Sequence, residues 1–272
     1  MSLDAYFQRI GISQPTSADL AGLCAIHAAH PAAIAFENID ALTGRAPELD
    51  RSALFSKLVQ GRRGGWCFEQ NAVLREVLTD LGFRVTALAA WVVWMAPPDA
   101  PARPRSHMLL RVDLDDGPYI ADVGFGGWLL SQPLRLVVDE VQHTPAGAHR
   151  FLLDDGEYVL QAELPTGWMN IYRFTLEPHK PADYLSSNWF VATHPSSIFV
   201  RNLLMERLTP QARYSLINDR LTIRRPDGPP ETRRIADART FERLLDETFG
   251  VEAPAGLFAR VPLGLETLAM PG

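Results

Sequence analysis

The chain has 272 residues, of which 47% are hydrophobic and 21% are charged, and its formal net charge is −6. This composition excludes an intrinsically disordered protein and supplies enough apolar residues for a large buried core. The mildly negative net charge does not indicate the basic patch that nucleic acids and anionic membranes favour, so we expect neither a nucleic-acid partner nor a membrane partner. Two cysteines, Cys24 and Cys67, are too few for a disulfide framework and lack metal-ligand spacing, so we expect no metal site.

Residues 1–83 are predicted to form a helical bundle. Apolar residues recur there at three- and four-residue spacing, and the amino terminus has no secretory signal, which predicts a cytoplasmic protein. Asp50 is a candidate N-cap for a helix that ends at Gly61. The glycine pair at 64–65 and the periodic run from Ala72 to Leu81 predict a further helix that begins near Cys67.

Residues 84–190 are predicted to form an antiparallel sheet or barrel. Runs of β-branched and aromatic residues alternate there with Gly-, Pro- and Asp-rich turns, and the turns 115–118 and 154–156 are typical of hairpins. Residues 191–272 mix helix and strand patterns, with a helix predicted around 201–207, a strand pair within 214–224 and a helix over 240–249. The predicted fold class is therefore α+β.

Cys67 is the candidate nucleophile. Its predicted place in the first turn of a helix puts the sulfur beside unpaired backbone N–H groups and the positive end of the helix dipole, which favours a reactive thiolate. The same N–H groups are suited to stabilising an oxyanion. A free cysteine is more commonly a small buried hydrophobic residue, and this is our interpretation of Cys24, which lies on a periodic helix face.

His107 and Asp122 are the candidate partners of Cys67, because a nucleophilic cysteine needs a base and the base needs an orienting acceptor. His107 opens a predicted strand beside a proline-rich loop. The hairpin turn after that strand brings Asp122 back to within a few residues of His107. Asp122 lies in an otherwise apolar strand, where an unpaired charge is costly, and an imidazole partner explains its presence.

The remaining polar residues are predicted to have ordinary structural roles. Glu69 is expected to stabilise the start of its helix, with Arg63 as its partner. The other histidines lack a matching acid nearby and are predicted to be surface or ordinary polar positions: His27, His30, His143, His149, His179 and His194.

Several segments resemble those of arylamine N-acetyltransferases, and together they span most of the chain: Phe36–Asn38, Arg63–Asn71, Ser106–Met108, Asp122–Gly126 and Ser187–Phe190. The most specific part of the resemblance is the segment Arg63–Asn71, followed in order by the motifs that contain His107 and Asp122. The resemblance implies an N-terminal helical bundle over 1–83, a central antiparallel β-barrel over 84–190 and a C-terminal α/β lid over 191–272, with a cysteine-proteinase-like core. It implies Cys67, His107 and Asp122 as the catalytic triad.

The resemblance also implies the ligands. Acetyl-CoA is the expected cosubstrate, with no permanently bound cofactor, and small aromatic amines or hydrazines accept the acetyl group by a ping-pong mechanism in xenobiotic metabolism. The sequence leaves self-association open. The expected substrate-binding residues line a cleft, although the aromatic ones are equally typical of a core: Phe36, Phe125, Gly126, Gly127 and Phe199.

Two other interpretations stay open on the residues alone. The same Cys, His and Asp chemistry serves amide cleavage, so a papain- or transglutaminase-like cysteine hydrolase is the main alternative. A binding module that retains an inactive triad is the second.

Overall fold

The computed structural model describes residues 2–97 and 103–264. The helices of the first part are α1 Leu3–Ile10, α2 Leu20–Ala33, α3 Ile39–Leu42, α4 Arg51–Leu54, which continues as a π-helical segment Phe55–Gln60, and α5 Cys67–Asp80. Asp50 caps α4 as predicted, because its carboxylate accepts hydrogen bonds from the N–H groups of Ser52 and Ala53. The helical run then ends at Gly61, also as predicted.

The central part is an eight-stranded antiparallel sheet with the order β5-β4-β3-β2-β9-β8-β7-β6. Its strands are β2 Arg84–Val92, β3 His107–Leu114, β4 Gly117–Ala121, β5 Leu134–Arg135, β6 Gln142–Thr144, β7 Gly147–Asp154, β8 Glu157–Leu164 and β9 Gly167–Phe174. The side chain of Gln142 on β6 bonds to both the N–H and the carbonyl of Arg135 on β5. The two edge strands therefore meet, and the sheet is a nearly closed barrel.

The last part contains a five-stranded sheet with the order β1-β10-β11-β12-β13. Its elements, with β1 contributed by the first part, are β1 Phe36–Glu37, α6 Asp183–Thr193, α7 Ile198–Arg201, β10 Leu204–Leu208, β11 Arg213–Ile217, β12 Arg220–Arg224, β13 Glu231–Arg234, α8 Ala238–Leu244 with a π-helical segment Leu245–Phe249, and a 3₁₀ turn Leu257–Arg260. The α+β class is confirmed. The domain boundaries stay predictions: the one at 190 falls within α6, and 265–272 lie outside the described residues.

Two local predictions in this part are wrong. The segment 201–207 is rich in helix-forming residues, yet β10 pairs with β1 on one side and β11 on the other, so sheet pairing overrides propensity. The sheet or barrel is predicted to extend to residue 190, whereas Asp183–Thr193 is helical. The exposed Leu185 and Trp189 on α6 hide the apolar periodicity that identifies a helix.

The nucleophile-bearing helix packs against the strand that carries His107. Val73, Leu74 and Val77 on α5 are fully buried in one cluster with Met108 and Leu110 of β3. Burying each such side chain is worth about 1.5–3 kcal/mol, so this packing fixes α5 against the barrel. Within residues 2–97 and 103–264, no helix has the length and apolar character needed to cross a membrane.

Three histidines are buried, contrary to our prediction: His27 and His30 on α2 and His149 on β7. The search for a nearby acid missed the partners of His30, which are neutral. Its Nδ1 lies 2.8 Å from the hydroxyl of Tyr6, and its Nε2 lies 2.7 Å from Oε1 of Gln70.

His30 is expected to weaken the fold at acid pH. Burial lowers the pKa of His30 to about 4, so the ring stays neutral in the folded chain while the unfolded chain takes up a proton below about pH 6.5. The stability that this gives is present above pH 6.5 and is lost as the pH falls towards 4. His30→Gln is expected to be less stable than wild type at pH 7. The difference in the free energy of unfolding between the two proteins, measured by urea unfolding, is expected to be smaller at pH 5 by about 2 kcal/mol. A gap that is equal at both pH values contradicts the assignment.

Candidate active site

Cys67 is the first residue of α5 and is 9% exposed. The first N–H groups of a helix have no partner within the helix, so donors surround this position. The Cys67 sulfur lies 3.7 Å from the carbonyl oxygen of Ser106, and its side chain interacts with that of His107. The helix start is held by Glu69, whose carboxylate accepts the N–H of Trp66. The predicted placement of Cys67 is therefore confirmed.

The predicted pairing of Glu69 with Arg63 is wrong. Glu69 accepts instead from Nζ of Lys57 at 2.6 Å, and Lys57 also bonds Asp40 at 2.6 Å. Arg63 instead donates to Glu37 at 2.8 Å and to Asp40 at 3.2 Å. Burial raises the pKa of Glu69 to about 7, although the charge of Lys57 opposes the shift. This buried charge cluster holds the loop that leads to the nucleophile.

His107 is the first residue of β3, is 2% exposed and pairs across the ladder with Ala90 of β2. Its ring lies between Phe125, in edge contact at 5.2 Å, and Tyr172 of β9 at 5.0 Å. Nε2 of His107 lies 2.7 Å from Oδ2 of Asp122, which leaves Nδ1 for Cys67. Burial opposes the charged ring, but the carboxylate of Asp122 outweighs it and raises the pKa of His107 to about 10. An imidazolium is thus stable at neutral pH.

Asp122 is fully buried and lies just beyond the end of β4, not within the strand as predicted. The ladder between β3 and β4 ends at the pair Leu110 and Ala121, so the contact with His107 forms beyond it. Oδ1 of Asp122 accepts from Gly124 N–H at 2.9 Å. Burial favours the neutral acid, but the charge of His107 and the hydrogen bonds outweigh it and lower the pKa of Asp122.

Asn71 joins the nucleophile helix to Asp122, and sequence reasoning identified it only as a polar residue near Cys67. It lies one helical turn after Cys67, on the same face of α5. Its Nδ2 donates to Oδ1 of Asp122 at 2.9 Å and to the carbonyl of Met108 at 2.7 Å. Its Oδ1 accepts the N–H of Val123 at 3.1 Å. The side chain thus fixes both β3 and the residues after β4.

The glycine turn after Asp122 packs directly on the nucleophile helix. A Cβ at Gly124 would lie 2.6 Å from Cα of Cys67, and one at Gly126 would lie 2.3 Å from the ring of Phe36. Both distances are shorter than real contacts, so a side chain at either position forces a neighbour to move, the backbone of Cys67 at position 124 and the ring of Phe36 at position 126. The structure therefore brings Phe36 and Gly126 together, and Phe199 lies 6.1 Å from Phe36 between ring centroids.

A second aromatic group lies on the barrel side of the turn. Phe125 contacts Trp94 at 6.3 Å between centroids, and Trp94 contacts Trp128 at 5.8 Å. A Cβ at Gly127 would lie 2.9 Å from Nε1 of Trp94. Sequence reasoning missed both tryptophans. Trp128 directly follows Gly127, which is its signal in the sequence, whereas Trp94 lies in an apolar run that is typical of a buried strand.

Comparison with known proteins identifies the family of the chain. A sequence profile of the N-acetyltransferase family matches residues 19–257. The arylamine N-acetyltransferase of Mycolicibacterium smegmatis is 39% identical over 255 residues, which cover 93% of this chain and 92% of the relative. The chain belongs to the arylamine N-acetyltransferase family. The Escherichia coli K12 member is 40% identical over 250 residues, which cover 92% of this chain and 88% of that protein.

Solved structures of arylamine N-acetyltransferases superpose closely. The Mycobacterium smegmatis structure gives a TM-score of 0.92 at 39% identity and covers 98% of this chain and 100% of its own. The Mycobacterium marinum enzyme, solved in complex with CoA, gives 0.91 at 38% identity and covers 95% of this chain and 98% of its own. The chain is therefore an acetyltransferase, and both the predicted family and the predicted fold class are confirmed.

Two further segments that resemble arylamine N-acetyltransferases join the three parts of the fold. In Phe36–Asn38, Asn38 donates to the carbonyls of Phe199 and Asn202 and accepts from Leu204 N–H, each at 2.7 Å. These bonds tie the last part of the chain to the first.

In the segment Ser187–Phe190, Asn188 accepts from Nε1 of Trp66 at 3.0 Å, beside the nucleophile. Ser187 donates to the carbonyl of Arg105, two residues before His107, at 2.9 Å. Helix α6 therefore supports the chain segments on both sides of the sulfur.

Proposed function

We propose that the protein transfers the acetyl group of acetyl-CoA to the amino group of arylamines and arylhydrazines, through an acetylated Cys67. The observation that carries the proposal is a chain of side-chain contacts. It runs from Cys67, the first residue of α5, to His107 and from His107 to Asp122. The relatives are named for arylamine acetylation, and one was solved with CoA, which supports a CoA thioester as the donor. No permanently bound cofactor is assigned.

In the first half-reaction the Cys67 thiolate attacks the thioester carbonyl. N–H groups at the start of α5 stabilise the oxyanion, and the thioester C–S bond then breaks. The departing CoA sulfur takes the proton of the His107 imidazolium and leaves as a thiol. The enzyme is left with an acetyl-cysteine and a neutral His107, while Asp122 keeps the ring oriented.

In the second half-reaction the amine nitrogen attacks the acetyl-cysteine carbonyl. Neutral His107 accepts the proton that the nitrogen loses, and the Cys67 thiolate leaves, which restores the starting ion pair. Aromatic amines are weakly basic and arrive unprotonated at neutral pH. We assign their ring to the apolar surface made by Phe36, Phe125 and Phe199 beside Gly126 and Gly127, which also limits access of water to the acetyl-enzyme.

Gly126→Ala is expected to affect the amine step selectively. The new methyl group displaces the ring of Phe36, so kcat/KM for the amine is expected to fall about tenfold, while acetylation of the enzyme by acetyl-CoA changes little. Gly124→Ala is the contrast, because its methyl group meets the backbone of Cys67 and is expected to slow both half-reactions. Single-turnover measurements of each half-reaction test this. Equal losses in both half-reactions for Gly126→Ala would contradict the assignment of this apolar surface to the amine.

Initial-rate kinetics with acetyl-CoA and aniline test the proposed function. A ping-pong reaction gives parallel lines in double-reciprocal plots, and N-acetylaniline is the expected product. Intersecting lines would contradict the covalent mechanism. Release of CoA without acetylated amine, or cleavage of a peptide, would favour the hydrolase alternative, against which the family membership already argues. A cytoplasmic location and a role in xenobiotic metabolism stay predictions from the sequence.

A further inference from the structure

We propose that His27 is a positioning residue for acetyl transfer: its ring holds the backbone of the acid loop, residues 122–124, and thereby keeps the carboxylate of Asp122 on His107. The inference rests on the proposed function, because His27 acts on the reaction only through Asp122. His27 lies on α2, and 95 residues separate it from Asp122 in sequence.

The contact is a hydrogen bond of 3.1 Å from the backbone N–H of Asp122 to Nε2 of His27. The β3–β4 ladder ends one residue earlier, at the pair Leu110 and Ala121, so this N–H has no strand partner. Both residues are fully buried. His27 supplies this buried N–H with the acceptor that the sheet does not provide.

The chemistry of the ring suits this task. Nε2 accepts a hydrogen bond only when it carries no proton, so the ring must be neutral with its proton on Nδ1. Burial lowers the pKa of His27 to about 4, although the charge of Asp122 opposes the shift. Nδ1 has no hydrogen-bond partner among residues 2–97 and 103–264. Within the described structure, the hydrogen bonding of this ring is therefore directed at Asp122 alone.

Helix α2 is a firm support for the contact. His30, one turn after His27, bonds Tyr6 of α1 and Gln70 of α5. Asn71 of α5 holds the acid loop from the other side, through Asp122 Oδ1 and the N–H of Val123. The loop is thus fixed between α2 and α5. Loss of the His27 contact frees the side that Asn71 does not hold.

The test compares two side chains of similar length at position 27, one with a hydrogen-bond acceptor near the position of Nε2 and one without. His27→Gln keeps an oxygen near the place of Nε2, whereas His27→Met has similar length and no acceptor. His149→Met is the matched control, because His149 is also fully buried but has no hydrogen bond on either ring nitrogen within the described residues. If His27→Met does not fold, His27→Asn replaces it, since its amide is one methylene too short to reach the loop.

The readout is the pH dependence of Cys67 alkylation by iodoacetamide, measured with kcat/KM for arylamine acetylation. The titratable groups that face His107 are Cys67 of α5, Asp122 of the acid loop and Tyr172 of β9. A displaced Asp122 stabilises the imidazolium less, so the thiolate forms at higher pH. For His27→Met we expect the alkylation midpoint to rise by about one pH unit and kcat/KM to fall about tenfold. His27→Gln is expected to stay near wild type, and His149→Met to keep the wild-type profile even if it melts earlier.

An unchanged profile for His27→Met, or equal shifts for the Gln and Met variants, would overturn the inference. Asp122→Asn is measured alongside. If it shifts the profile while His27→Met does not, the role of His27 fails and the triad stands. If Asp122→Asn also keeps the wild-type profile, the triad assignment fails and the role of His27 fails with it.

Discussion

Cys67→Ala is expected to lower arylamine acetylation by at least about a thousandfold, because the acetyl group then has no covalent acceptor on the enzyme. The change removes one atom from a side chain that is 9% exposed, so the fold is expected to persist. The measurement is N-acetylaniline formation from acetyl-CoA and aniline, with circular dichroism as the check on folding.

Cys24→Ala is the matched control for this experiment. Cys24 is the other cysteine of the chain and is half-buried on α2, rather than fully buried as a core residue. Burial raises the pKa of its thiol, which makes it a poor nucleophile. Its variant is expected to acetylate at close to the wild-type rate. A Cys67→Ala protein that is folded and as active as Cys24→Ala would contradict the proposed mechanism.

Asp122→Asn is expected to lower kcat/KM for acetylation by about 10³–10⁴. The amide has no negative charge to stabilise the His107 imidazolium, and its NH₂ group competes with the orientation that the carboxylate imposes. The pKa of His107 is therefore expected to fall below its wild-type value of about 10. Asp113→Asn is the control, since Asp113 lies on the same hairpin but its half-buried side chain pairs with Arg111.

The same variant has a defined effect on stability. The raised pKa of His107 stabilises the fold below about pH 6.5, and this contribution is lost as the pH rises through about 10. The lowered pKa of Asp122 gives stability above about pH 3.8, which is lost on further acidification. The gap in urea midpoint between wild type and Asp122→Asn is therefore expected to be wide near pH 6 and to narrow towards pH 10. A gap that widens with pH would show that the two groups are not paired as an ion pair.

The chemistry-bearing residues were predictable because local patterns place them. A glycine pair before a periodic run fixed the start of α5 at Cys67, and a hairpin turn fixed the return of the chain towards His107. The exact contact between Asp122 and His107 was harder to predict from the sequence. Asp122 reaches His107 from a loop beyond the ladder, where residue spacing no longer determines which side chains meet.

The residues that were missed depend on contacts between distant parts of the chain. His27 and His30 look like ordinary polar residues because their partners are a backbone N–H, a tyrosine hydroxyl and a glutamine amide. The residues of β10 on their own favour a helix, whereas the strand β1 that pairs with β10 lies in another part of the sequence. Trp94 and Trp128 carried no pattern that distinguishes a binding surface from a core.

The most direct test of the account is mass spectrometry of the protein mixed with acetyl-CoA alone and quenched in acid. We expect one acetyl group, mapped to the peptide that contains Cys67, and its loss as N-acetylaniline forms when aniline is added. The Cys67→Ala protein is expected to remain unmodified. Acetylaniline formed at the wild-type rate with no acetyl group on Cys67, or an acetyl group on another residue that transfers to aniline, would contradict the account.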